Sequence, residues 1–179
     1  MVQQSSNNHK DAAFLLVKTS VNAKELAREL GAKPWIRWAS GTYGPFPIIG
    51  YAEADNQFQL TEHIEILRTD TRIGEIDARM CKWIPGDENL QRLQVTRPET
   101  AVLLINVNYS EEKERIVTYK LRELMSVFLA RAMWGPADII AVVEEDSHET
   151  MRNLICDQIK TMKGVASNTT LYCYPKIQP

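Results

Sequence analysis

The chain has 179 residues, 44% of them hydrophobic and 25% charged, enough to bury one large core or two small ones. With 21 basic against 23 acidic residues and a pI near 6.0, it carries no general basic field to attract nucleic acid phosphates or an anionic membrane. Its apolar runs are too short to cross a bilayer and the opening MVQQSSNNHK has no apolar signal region, so a cytoplasmic protein is expected.

In chain order, Ala13 to Val17 reads as a first strand and Ala23 to Leu30, ended by Gly31, as a helix. Trp35 to Ala39 reads as a second strand, a Gly-Pro turn follows at Gly44, and Ile48-Ile49 opens a third strand. Phe58, Leu60, Ile64 and Leu67 mark a second helix, and Ala78 to Trp83 a closing strand. The same order then returns. Ala101 to Ile105 is a strand, Ser110-Glu111-Glu112 caps a helix, Val127 to Ala130 is a strand, and GPADIIAVVEED from Gly135 repeats GPFPIIGYAEAD from Gly44 at an offset of 135 − 44 = 91. Asp146 to Glu149 opens a last helix whose apolar face is Met151, Leu154, Ile155, Ile159 and Met162, with Gly164 beyond its end. Thr169 to Tyr174 closes the second half, where Cys173 matches Cys81.

The order is βαββαβ twice, so the fold class is α+β, two tandem ferredoxin-like repeats. Val102 to Ile105 and Ile139 to Val143 are apolar at consecutive positions, which calls for cover on both faces of each sheet. Helices cover only one face. The two free faces are therefore expected to pack on each other as a barrel-like pseudo-dimer. Residues 1–84 form the first, degenerate repeat, the polar and proline-bounded stretch 85–99 a linker, and 100–179 the second repeat.

Candidate chemistry is sparse. Cys81, Cys156 and Cys173 are widely spaced and read as buried thiols, without metal or disulfide. Three histidines, with His9 in a polar tail, make no nucleophile-base set, so no catalytic residues are assigned. His148 with Asp146 and Glu149 reads as a helix start, and His63 lacks supporting ligands for a haem. No metal and no cofactor is expected. Gly41-Thr42-Tyr43-Gly44 lacks the features of a phosphate loop. Trp35, Trp38, Tyr43 and Trp134 cluster near the two hairpin turns, as pocket lining or as core and interface anchors.

The second half, Ala101 to Ile177, resembles the ligand-binding (RAM) domain of the Lrp/AsnC family, a dimeric α/β barrel, in AVLLINV, the Gly135-x-x-Asp138 turn, IIAVV, and Gly164-Val165 followed by Thr170. The resemblance implies an effector, often an amino acid, bound near the turn between the second and third strands and the segment before the last. Gly135 would let backbone amides face a carboxylate, Asp138 would accept from an ammonium group, and Asn168, Thr170 and Trp134 complete the candidate set; the bland role for Gly135 and Asp138 is the turn itself. Pro47, Arg72, Ile76 and Ala78 stand at the matching first-half positions. Only twelve residues precede Ala13, so no helix-turn-helix is expected. The reading is a non-enzymatic effector-binding or regulatory protein that does not itself bind nucleic acid or membrane. It would form homo-oligomers through barrel contacts and act with a DNA-binding partner protein. The alternative is a small barrel enzyme such as a cofactor-free or haem-dependent monooxygenase.

Overall fold

The computed structural model of the chain describes residues 10–85, 87, 96–108 and 111–175. The elements run β1 (Asp11–Thr19), α1 (Ala23–Gly31), β2 (Ile36–Tyr43), β3 (Ile48–Ala54), α2 (Gln57–Arg68), β4 (Ile73–Met80), β5 (Glu99–Val107), α3 (Glu111–Glu123), β6 (Val127–Ala132), β7 (Ile139–Glu145), α4 (His148–Asn153) and β8 (Val165–Cys173). This is the α+β architecture expected, two βαββαβ units of the ferredoxin type forming a dimeric α/β barrel. No helix is long and apolar enough to cross a membrane. His9, Ser110 and most of the stretch 85–99 lie outside the described residues.

The consecutive apolar runs behave as the pattern demands. Ala12 to Val17 are all buried, and their side chains alternate between two cores. Ala13, Leu15 and Val17 meet Leu26, Leu30, Leu60 and Ile64 of the helices, whereas Ala12, Phe14 and Leu16 meet Val102, Leu129, Ile140 and Leu171 of the other repeat. A third core packs Leu103, Ile105, Ala141 and Val143 against α3 and α4. Three layers of apolar contact thus follow from two sheets buried on both faces.

The repeats do more than face each other. The strand order β4-β1-β3-β2-β8-β5-β7-β6 is one continuous eight-stranded sheet. β2 pairs with β8 at Thr42–Cys173 and Tyr43–Tyr172, and a bridge between Cys81 and Met133 joins the outer ends. At that second seam Lys82 N donates to Ala132 O at 2.8 Å, just as Tyr174 N donates to Gly41 O at 2.8 Å at the first. The barrel therefore closes at two short seams, around a pseudo-two-fold axis.

The duplication extends to irregularities. A register shift between Lys18 and Thr19 recurs between Asn106 and Val107, and one between Ile36 and Trp38 recurs between Val127 and Leu129. Both hairpin turns are closed by the same main-chain bond, Thr42 N to Pro47 O and Met133 N to Asp138 O, each 2.9 Å. The repeated glycines have a packing reason as well. A Cβ on Gly44 would lie 2.9 Å from Leu171, and one on Gly135, whose φ is +145°, would lie 3.1 Å from Arg79. Each turn is pressed by the last strand of the other repeat.

Three boundaries differ from the sequence reading. β4 and β8 begin earlier, at Ile73 and Val165, because ladder hydrogen bonds to β1 and β5 need no apolar side chain. The last helix is capped by Ser147 with Thr150, not by Asp146 with Glu149. Beyond Asn153 it widens into a π-helical turn, Leu154–Ile159, where Lys160 N bonds Ile155 O.

Candidate functional site

The first hairpin end of the second repeat is assembled from four segments. β5 ends at Val107, α3 begins just beyond, β6 and β7 are joined by the turn Trp134–Asp138, and Lys163-Gly164 leads into β8. Asp138 Oδ2 accepts from Val107 N at 2.8 Å, and Asp138 N donates to Ile105 O at 3.0 Å. Asn108 N donates to Gly164 O at 2.7 Å. The half-buried carboxylate of Asp138 thus pins the bulged end of β5, and that end in turn holds the Gly164 turn. The two segments singled out by the sequence resemblance meet at one rim.

Between α3 and the Gly164 turn lies a cleft of about 500 Å³, lined by Asn108, Glu112, Lys113, Ile116, Val117, Lys120, Lys163 and Gly164. Gly164 has φ of +109°, and a Cβ there would stand 2.7 Å from Val117 Cγ2. Only glycine lets the turn approach α3 so closely. The lysines were not singled out by sequence reasoning, although Lys113 and Lys120, seven residues apart, share one side of a helix.

A second cleft, about 620 Å³, lies across the closing seam, between α3 and the exit of β4. Its walls include Lys82, Trp83, Ile84, Arg115 and Trp134. Lys82 Nζ sits 4.5 Å over the ring of Trp134 and bonds Glu114 at 2.8 Å. At the matching place of the other seam, Tyr174 packs on Tyr43, also at 4.5 Å.

Other candidate residues are scattered. Asn168 and Thr170 pair with Ile105 and Leu103 and share the helix-facing side of β8 with Tyr172. The amide atoms Nδ2 and Oδ1 of Asn168 are buried without a hydrogen-bond partner, whereas Ile76, at the matching first-repeat position, is an ordinary core residue. Trp134 and Gly135 lie at the seam end of the turn and Asp138 at its other end, so the five candidates do not converge on one point. Trp35 stacks on His63 at 4.7 Å, Trp38 packs against the barrel interior, and Tyr43 stays largely exposed. Among the described residues no group of His, Cys, Asp or Glu is arranged to hold a metal.

The barrel interior is filled largely by apolar side chains, with a buried polar group among them. Arg131, 4% exposed, donates to Tyr51 Oη at 3.1 Å and reaches Asp87 at 3.3 Å, while its Nε has no partner. Asp87 also accepts from Ile84 N and Arg122. Burial alone would lower the Arg131 pKa, but Tyr51, Cys81, Asp87 and Glu53 nearby hold it above its ordinary value. Burial raises the Tyr51 phenol well above its usual range despite Arg131, and pushes the Cys81 and Cys173 thiols up to about 12. Only Cys156 is exposed.

No protein-family model matches the sequence, and no curated protein matches it. Among solved structures, the siroheme decarboxylase NirDL, in complex with an iron-uroporphyrin III analogue, superposes with a TM-score of 0.62 at 12% identity, covering 92% of this chain and 71% of that one. A chlorite dismutase variant from Candidatus Nitrospira defluvii gives a TM-score of 0.53 at 12% identity, covering 94% of this chain and 92% of that one. Escherichia coli AsnC gives 0.40 at 16% identity, covering 86% and 80%. The first two likenesses extend over the whole barrel and establish the fold; identities this low leave the activity undecided.

Proposed function

We propose that the protein is a non-enzymatic small-molecule sensor of the Lrp/AsnC type, binding an amino-acid-like effector at the hairpin rim of its second repeat. One observation carries this reading: the turn Gly135–Asp138 and the turn Lys163-Gly164 are tied through Val107 and Asn108 into one rim beside an open cleft. The effector binds at that rim, and homo-oligomers and a DNA-binding partner protein read out its occupancy. The chain itself binds DNA weakly and without sequence preference, because its charge is −2. The enzyme reading, with a monooxygenase's substrate between the sheets, is disfavoured by Phe14, Leu16, Ile49 and Val142, which occupy that space and are fully buried.

The test is a thermal-shift panel of amino acids and related small metabolites, with the visible spectrum of the purified protein recorded alongside. A ligand that binds only the native state at 100 times its Kd stabilises it by about 2.7 kcal/mol, which shifts the midpoint by several degrees. One or more amino-acid-like hits with a featureless visible spectrum is the expected result. A bound chromophore, or a panel without any hit, removes the proposal.

A further inference from the structure

The two repeats provide an internal comparison at the rim cleft. α1 and α3 superpose at an offset of 91, since buried Ala23, Leu26, Ala27 and Leu30 answer to Glu114, Val117, Thr118 and Leu121. The last strands superpose at an offset of 92, since Ile73 pairs with Thr19 as Val165 pairs with Val107. Position 72 therefore corresponds to 164, 29 to 120 and 70 to 162.

In the first repeat these three positions form a closed ion cluster. Arg72 Nη1 lies 2.7 Å from Glu29 and Nη2 lies 2.8 Å from Asp70, and the guanidinium covers the gap between helix and turn. In the second repeat every member has changed. Gly164 has no side chain to cover the gap, Lys120 replaces the carboxylate of Glu29, and Met162 replaces Asp70. The result is the open cleft, whose lining among the described residues includes Lys120 and Lys163 on its two sides together with Lys113 and Glu112.

We infer that this cleft is an anion site, in which Lys120 and Lys163 hold a carboxylate or phosphate group of a small ligand against the apolar floor of Ile116 and Val117. The inference rests on reading the rim as a ligand site and specifies the charge of what enters it. The reasoning is electrostatic. The first repeat pairs its helix carboxylate with its own arginine, whereas the second presents ammonium groups on both walls of a gap that glycine keeps open. An anion bonded to two ammonium groups there gains charge-assisted hydrogen bonds, at the place where Glu29 meets Arg72 in the other repeat.

The probes are inorganic phosphate and glutarate, titrated calorimetrically into the whole chain at constant ionic strength with chloride as the background anion. Saturable binding of either is expected; the tighter of the two tells which group the site prefers. Lys120→Glu, which restores the first-repeat charge, should weaken the preferred anion at least about tenfold, and Lys163→Gln about three- to tenfold. Unchanged circular dichroism and melting midpoint would certify that both variants are folded, and Lys24→Gln on α1 is the remote control with unchanged affinity. Absence of binding by both anions, or equal affinity in wild type, Lys120→Glu and Lys163→Gln, overturns the inference. Anion binding with a silent amino-acid panel would keep this site and remove the amino-acid effector, so the two readings fail separately.

Discussion

At position 72 the first repeat places an arginine held by Glu29 and Asp70; at the corresponding position 164 the second places a glycine, with Lys120 facing it. The surrounding frameworks are alike down to their register shifts and turn hydrogen bonds. A framework fixed by two buried sheet faces tolerates such changes because they fall at the rim, where side chains meet solvent and not core. The repeats also differ inside the barrel. Arg131 takes the place of Ser40; its charge is balanced by Asp87, and it donates a hydrogen bond to Tyr51 in the other repeat. One repeat has closed its rim with its own charges, and the other has left a gap lined by lysines.

The largest way to break the comparison is to remove the Asp87 carboxylate, which meets Arg131 and Arg122 and also accepts from Ile84 N. Asp87→Ala should cost about 3–5 kcal/mol in denaturant unfolding, because it strands a buried cation, while Ser40→Ala at the place of Arg131 in the first repeat should cost less than about 1 kcal/mol. Equal costs would mean that the buried cation is no special feature of the second repeat.

Next come the rim positions. Gly164→Ala combines a left-handed backbone with a Cβ 2.7 Å from Val117, so a loss of about 2–3 kcal/mol is expected. Arg72→Ala removes an exposed ion cluster that solvent screens, so a much smaller loss is expected. A loss at Arg72 as large as that at Gly164 would contradict the assignment of a structural glycine to one rim and a surface ion pair to the other.

Cys81 and Cys173, at matching positions, should instead behave alike. Their pKa values are raised from 9 to about 12 by burial, so the unfolded chain loses these protons first. The stability they contribute is fully present below pH 9 and is lost as pH rises through 12. At pH 8 a thiol reagent should modify Cys156 promptly and the other two only on unfolding. Rapid labelling of Cys81 alone would show the second seam to be open.

The smallest effect is expected from Asp70. Hydrogen bonds from Arg72 lower its pKa to about 2, so whatever the ion cluster contributes is present above pH 3.8 and disappears as pH falls through 2. A carboxyl titration followed by NMR should give a midpoint near 2 in wild type and a return toward the usual carboxylate range in Arg72→Ala. An ordinary midpoint in wild type would mean that Arg72 leaves the first rim open in solution.

How much of this was legible in the sequence depends on whether a residue's partners are periodic. Val102 to Ile105 and Ile139 to Val143 announced strands buried on both faces, and the repeated Gly-Pro phrase announced the duplicated hairpin. The two seams were not legible, since the pairing of Thr42 with Cys173 and of Cys81 with Met133 is a backbone event without a side-chain signature. The early starts of β4 and β8 were hidden for the same reason, Glu75 and Ser167 looking like loop residues while their backbones pair. At the site, the Gly135–Asp138 turn and Gly164 were visible as motifs, but Lys120 and Lys163 acquire meaning only once Arg72 and Glu29 are seen to be paired in the other repeat. Arg131 was hidden because an arginine inside a strand gives no sign of which face it will occupy.

The central claim is that ligand recognition belongs to the rim of the second repeat and not to its closed counterpart. Backbone amide NMR of the labelled full chain during a phosphate or glutarate titration tests it most directly. The account predicts saturable shifts at Asn108, Ile116, Lys120, Lys163 and Gly164, and none at Glu29, Asp70 or Arg72. Shifts centred on Glu29 and Arg72, or on the interior residues Phe14 and Val142, would contradict it.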